Sequence, residues 1–153
     1  MDEPKEQFEQ LLQHMRDQTG HDFPVNGNAC TLVNHNDEIA VVIEQPENSD
    51  LLLLHRMLAP LPSDPDARNG RALQLLVLNS RPEKLQGTWF CIDSEGGGIH
   101  LMSGQPIHSL TPDNFENLLF NYVELANTLA LEIAEEEQDL ALVSKPPVSW
   151  LQP

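Results

Sequence analysis

Apolar residues recur at helical spacing near the start of the chain. Four of them occupy positions i, i+3, i+4 and i+7, which form one stripe on a helix. These four are Phe8, Leu11, Leu12 and Met15. Gly20 follows and suits a helix end, so the pattern predicts an amphipathic helix from Lys5 to Thr19.

Three short apolar runs come next, at Cys30–Val33, Ile39–Ile43 and Leu51–Leu58. The polar, turn-forming segments NHNDE and QPENSD separate them, which predicts a meander of three strands. Both faces of the second run are apolar, and the start of the third run repeats this pattern. Such strands are normally covered on both sides, by helices or by a partner.

A second helix is predicted to begin near residue 64 and to run to about Asn79. Ser63 or Asp64 can cap it, and Pro65 suits its first position. Its apolar residues spread over more than one stripe, which indicates a helix buried on more than one side, as at a subunit interface.

Two further strands, Thr88–Ile92 and Ile99–Met102, flank the glycine-rich segment DSEGGG and predict a hairpin. A phosphate-binding loop is the alternative for the three glycines. The GxxxxGK[ST] pattern is absent and no lysine follows, so the turn is favoured.

A long closing helix is predicted from Thr111-Pro112-Asp113 to about Gln138, with the acidic run Glu135–Glu137 as a solvated final turn. The predicted order is α-β-β-β-α-β-β-α, an α+β fold in one domain with a mostly antiparallel five-stranded sheet. Residues 1–138 form this domain, and residues 139–153 are expected to be a flexible proline-containing tail.

Charge narrows the possible partners. Asp and Glu outnumber Lys and Arg by 24 to 8, and the net charge is -16. Nucleic acid and anionic membranes would be repelled, so neither is an expected partner. The negative charge has two interpretations: it keeps the protein soluble, or it forms an acidic surface that binds a partner. No secretory signal or membrane-length apolar run is visible, which predicts a soluble, cytoplasmic protein.

No constellation of residues predicts catalysis, a metal site or a cofactor. The six histidines form no HExxH or other close ligand pair. Cys30 and Cys91 lie inside strand-like segments and are interpreted as buried structural residues. A disulfide between them is the less favoured alternative, because the expected compartment is reducing. A small cysteine hydrolase stays open as an alternative, and it would need one cysteine exposed beside a histidine.

An ordered set of segments between Phe8 and Ile133 resembles the class I type III secretion chaperones of the Tir chaperone (CesT) group. The segments are FEQLLQHM, NACTLVNHNDEIAVVI, LLLLHRMLAPLP, ALQLLVLN, TWFCIDSEGGGIHLM and TPDNFENLL. The most telling parts are LAPLP at Leu58–Pro62, and Leu75-Leu76 with Asn79. The tail after Gln138 departs from the pattern.

The resemblance implies a bacterial homodimer that binds the amino-terminal segment of a cognate effector and keeps it soluble and secretion-competent, without cofactor or catalysis. The secretion ATPase is a further candidate partner. The implied dimer contacts are Leu73, Leu76 and Trp89. The implied effector contacts, or the core beneath them, are Phe8, Leu12, Val33, Val41 and Leu52. A regulatory module of the same fold that sequesters another bacterial protein is the alternative function.

Overall fold

A computed structural model describes residues 3–142, with side-chain surroundings described as far as residue 136. The helices are α1 (Glu3–Thr19), α2 (Pro65–Leu78), α3 (Pro82–Leu85) and α4 (Pro112–Leu142), and a 3₁₀ turn spans Ile107–Ser109. The strands are β1 (Val25–Asn26), β2 (Ala29–Val33), β3 (Ile39–Glu44), β4 (Leu51–Pro60), β5 (Trp89–Ile92) and β6 (Gly98–Pro106).

The helix ends follow the local chemistry that the sequence predicted. The Asp64 carboxylate accepts from the Ala67 amide at 3.0 Å, with Pro65 at the first helical position of α2. Thr111 caps α4 by accepting from the Asn114 amide at 3.2 Å. Gly20 ends α1 with a positive φ of 71°, a conformation that glycine adopts without steric cost.

The strands form one antiparallel sheet in the order β1-β2-β3-β4-β6-β5. Helices α1 and α4 pack against each other, and α4 packs against β4, so the core lies between this helix pair and one face of the sheet. Apolar side chains on that face are fully buried, among them Val41, Ile43 and Leu54. The α+β prediction is therefore confirmed.

The sheet has six strands where the sequence predicted five, because β1 adds a sixth. It has two residues, which is too short to show alternation of apolar and polar positions. Helix α3 was also missed, since four residues cannot show a helical stripe. Both elements depend on neighbours, β1 on its pairing with β2 and α3 on the burial of Leu85 in the core.

The closing helix runs to Leu142, four residues beyond the predicted end near Gln138. The acidic run Glu135–Glu137 therefore lies inside the helix and is not its final turn. Residues 139–142, predicted as the start of the tail, belong to α4, and the rest of the predicted tail lies outside the described residues.

A buried hydroxyl ties α4 to the sheet. Tyr122 on α4 is 2% exposed, and its hydroxyl donates to the Leu101 carbonyl of β6 at 2.8 Å. Burial raises the pKa of Tyr122 well above its ordinary value of 10.0. The folded protein therefore keeps this proton at a pH where the unfolded chain loses it.

We expect replacement of Tyr122 by phenylalanine to lower the free energy of unfolding by about 1 kcal/mol at neutral pH, because the hydrogen bond to Leu101 is lost. The contribution of the Tyr122 hydroxyl to the free energy of unfolding is complete below pH 10. It falls as the pH rises further, because the unfolded chain then loses the Tyr122 proton more readily than the folded protein does. The difference between the two proteins should therefore shrink above pH 10. Urea unfolding at neutral pH and at about pH 11 measures it, and a constant difference would contradict the expectation.

Candidate interaction surfaces

Helix α2 has an inner face and an outer face. On the inner face Leu75 is buried and Leu78 is half-buried. The outer face carries an apolar stripe of Leu73, Leu76 and Val77, whose exposed fractions are 65%, 65% and 59%. Three large apolar side chains at this exposure on one helix form a candidate surface for a partner.

Polar contacts at both ends of α2 fix it to the β5–β6 hairpin. The Asn79 side chain accepts from the Phe90 amide at 2.7 Å and donates to the Phe90 carbonyl at 3.1 Å. Arg68 donates to the Gly96 carbonyl in the hairpin turn. Asn79 therefore takes the place of a neighbouring strand and blocks the free edge of β5 at this position.

The sheet face opposite α1 and α4 is also apolar and partly exposed. Trp89 lies on it at 40% exposure, and Val42, Leu53 and Met102 lie on it half-buried. A Cβ added at Gly104 would lie 3.2 Å from both Trp89 and Leu53, so glycine here lets the indole ring lie close over β6.

A polar pair lies in the middle of this face. His55 Nε2 lies 2.8 Å from Glu44 Oε2, between strands β4 and β3. Apolar residues flank this pair, because Val42 lies opposite His55 and Leu53 lies opposite Glu44 in the β3–β4 ladder.

The opposite edge of the sheet is partly open. Strand β1 pairs with Ala29 and Cys30 of β2 and ends there, so among the described residues no strand pairs with the outer edge of β2 from Thr31 to Val33. Val33 and its neighbour across the ladder, Ile39, are 56% and 50% exposed. An extended segment could add a strand here and cover two apolar side chains.

The structure places the residues predicted for effector contact in two different environments. Four of them, Phe8, Leu12, Val41 and Leu52, are at most 4% exposed and lie in the core, so they are not accessible to a partner in this conformation. Val33 alone of the five is exposed, and its role remains a prediction. The three residues predicted for the dimer are all exposed.

The two cysteines are free and lie on different parts of the sheet. Four strand spacings separate β2 from β5, about 19 Å, which is too far for a disulfide. Cys91 stands opposite His100 in the β5–β6 ladder, but burial raises the pKa of its thiol, and Asp93 raises it further. The environment therefore favours the thiol over the nucleophilic thiolate.

The glycine-rich turn does not offer its amides to a phosphate. The Asp93 carboxylate accepts from the Gly97 and Glu95 amides at 3.0 and 3.1 Å. The Gly97 hydrogen bond is the main cause of the lowered pKa of Asp93. A carboxylate already occupies the position where the phosphate would bind.

One cluster in the described part of the chain has the residue types of a metal site. His14, Asp113 and Glu116 bring one ligand atom each to within 4.8 Å of one another. No local sequence pattern predicted this cluster, because its residues come from α1 and α4. Both carboxylates are exposed, and exposed acidic groups meet in many proteins without a metal, so the cluster alone does not indicate a metal site.

Sequence reasoning missed three features of these surfaces. Val77 completes the exposed stripe of α2, but its spacing did not reveal which side of α2 faces outward. The sequence pattern predicts Ile39 as one residue of a uniformly apolar strand, whereas it lies at the exposed end of β3. The pairing of Glu136 with α2 joins two helices 65 residues apart, and no local pattern could predict it.

No helix in the described part of the chain is long and apolar enough to cross a membrane. No curated protein matches the sequence.

Solved structures share the fold at low sequence identity. A chain of the ExsC–ExsE complex matches with a TM-score of 0.67 and 19% identity, over 85% of this chain and 95% of that chain. A chain of the HopA1–SchA chaperone–effector complex matches with a TM-score of 0.64 and 17% identity, over 84% and 96%. YbjN from E. coli matches with a TM-score of 0.60 and 17% identity, over 84% and 92%.

The sequence profile of the Tir chaperone protein (CesT) family matches residues 10–130, well over half of the chain. The chain therefore belongs to the Tir chaperone (CesT) family, the class I type III secretion chaperones.

Proposed function

We propose that this protein is a homodimeric secretion chaperone that holds the amino-terminal segment of one effector in an extended, soluble and secretion-competent form. The observation that carries the proposal is an apolar outer surface on a protein with a net charge of -16. Apolar surface binds an unfolded segment, and the charge keeps the chaperone itself in solution. The chain belongs to a chaperone family, and the proposal includes no catalytic step.

The apolar stripe of α2 and the sheet face around Trp89 support the dimer. In a symmetric dimer the same surface of each subunit meets, so the apolar surface of one subunit can be covered by that of the other. The stripe lies on α2 and Trp89 lies on β5, and these two elements contact each other.

We expect Leu76→Glu to convert the dimer to a monomer, because the interface would bury an unpaired carboxylate. The fold of the monomer should survive, since Leu76 is 65% exposed and glutamate is a good helix former. Leu131→Glu on α4 is the matched control, because Leu131 is 66% exposed and lies on a different helix. Native mass and sedimentation measure the outcome, and a Leu76→Glu protein that remains dimeric would refute this interface.

The edge of β2 beside the short strand β1 supports the effector site. Thr31–Val33 has an unpaired outer edge within the described sheet, with exposed Val33 and Ile39 beside it. The edge of β5 is less suitable, because the Asn79 side chain already bonds both backbone groups of Phe90. Main-chain hydrogen bonds to β2 would hold an extended effector segment, and the apolar side chains would select its sequence.

We expect Val33→Asp to weaken effector binding by about tenfold or more, which is about 1.4 kcal/mol, without changing the dimer. The added carboxylate would face an apolar side chain of the effector at the sheet edge. Calorimetry with the effector's amino-terminal peptide measures the affinity, and Leu131→Asp is the control. Equal affinity for Val33→Asp and wild type would move the effector site elsewhere.

The alternatives left open by the sequence predict different partners. A regulatory module of the same fold would bind a bacterial regulator, whereas an escort binds the amino-terminal region of a secreted protein. A cysteine hydrolase would need a reactive thiolate, which the raised pKa of Cys91 disfavours. The proposed location is the bacterial cytoplasm, with the secretion ATPase as a further partner.

Co-expression with effectors encoded beside the gene, followed by native mass, tests the function itself. We expect two copies of this chain with one effector chain, formed without ATP, because the described contacts need no nucleotide. A chain that captures no effector, or that needs ATP to do so, would contradict the proposal.

A further inference from the structure

Helix α2 carries a buried charge on its inner face. The Arg71 side chain is 3% exposed, and its guanidinium donates to Glu136 at 3.0 Å and to Gln74 at 2.9 Å. Gln74 donates to the same Glu136 oxygen at 2.9 Å. Two residues of α2 therefore converge on one carboxylate near the end of α4.

The inner face of α2 contacts the rest of the fold through both polar and apolar side chains. Leu75 is its one fully buried apolar side chain within the described chain. Arg71, Gln74, Leu75 and Leu78 form the inner stripe at positions i, i+3, i+4 and i+7. Hydrogen bonds therefore contribute, together with packing, to the rotation of α2 about its axis.

Glu136 on α4 accepts from both Arg71 and Gln74. A second ion pair, Lys84 to Glu132 at 2.9 Å, also joins the end of α4 to the α3 segment, but both of its side chains are about two-fifths exposed. Exposed ion pairs contribute little, whereas removing a carboxylate that binds a buried guanidinium is costly. Glu136 is 44% exposed, so a larger or charged residue at this position can be accommodated sterically.

We infer that Glu136 is a positioning residue: the end of α4 acts as a brace that fixes the rotation of α2 and so presents Leu73, Leu76 and Val77 to the second subunit. This inference rests on the proposed dimer. The brace lies beyond residue 130, where the family match ends. It also gives a role to part of the acidic run 135–137, which composition alone indicated to be a solvated turn.

The test is Glu136→Arg, with Glu135→Arg as its matched control. Both variants change the net charge equally and lie on the same turn of α4, but Glu135 is exposed and has no described bond to α2. We expect the amides of residues 66–78 to exchange hydrogen at least tenfold faster in Glu136→Arg, with the strand amides unchanged. The dissociation constant of the dimer, from sedimentation, should rise at least tenfold. Glu135→Arg should match wild type in both measurements.

Two further variants separate positioning from general destabilisation. Glu136→Gln keeps an acceptor for Arg71 and should retain most of the dimer affinity. Arg71→Met in the Glu136→Arg background removes the like-charge contact and should restore part of it. Equal exchange in Glu136→Arg and Glu135→Arg would overturn the brace. Faster exchange in Glu136→Arg with an unchanged dimer would overturn the link between the brace and assembly. A monomeric wild type would overturn the proposed dimer, and the exchange comparison would still test the brace.

Discussion

A sheet with apolar residues on both faces needs cover on both, and the fold supplies its own cover on one face. Helices α1 and α4 bury Val41, Ile43 and Leu54 on the inner face. The outer face keeps Trp89 partly exposed, and α2 at its side presents a further apolar stripe. This incomplete cover favours binding to a partner, because apolar area left in water favours association.

The two edges of the sheet differ in how far their backbone groups are covered. The proposed dimer surface lies near one edge and the proposed effector site at the other. At β5 the Asn79 side chain bonds the Phe90 backbone, which anchors α2 and closes that edge locally. At the other end β1 pairs with two residues of β2, and in the described sheet no strand pairs with the outer edge of the next three residues, which bond β3 on their inner side. Self-association and effector capture can therefore use different parts of one sheet.

Polar contacts carry much of the positioning in this protein. Tyr122 joins α4 to β6, Arg68 joins α2 to the hairpin turn, and Arg71 joins α2 to the end of α4. Each bond crosses between elements that are distant in sequence. Hydrogen bonds are directional, so they fix the orientation of a helix whose apolar residues face both inward and outward.

The sequence determined what depends on near neighbours. Spacing and capping residues predicted α1, the starts of α2 and α4, the three-strand meander and the hairpin, because helix stripes and turns are local properties. The ordered segments also indicated the family, which the match over residues 10–130 shows.

Tertiary structure decided which apolar residues are exposed. Leu12 and Val33 are equally apolar in the sequence, yet Leu12 is buried under the sheet and Val33 lies at an uncovered strand end. Strand β1, helix α3 and the Arg71–Glu136 pair likewise exist through contacts between distant segments. Exposure is a property of how elements pack, so the residues of the proposed interaction surfaces could be selected only once the helices and the sheet were in place.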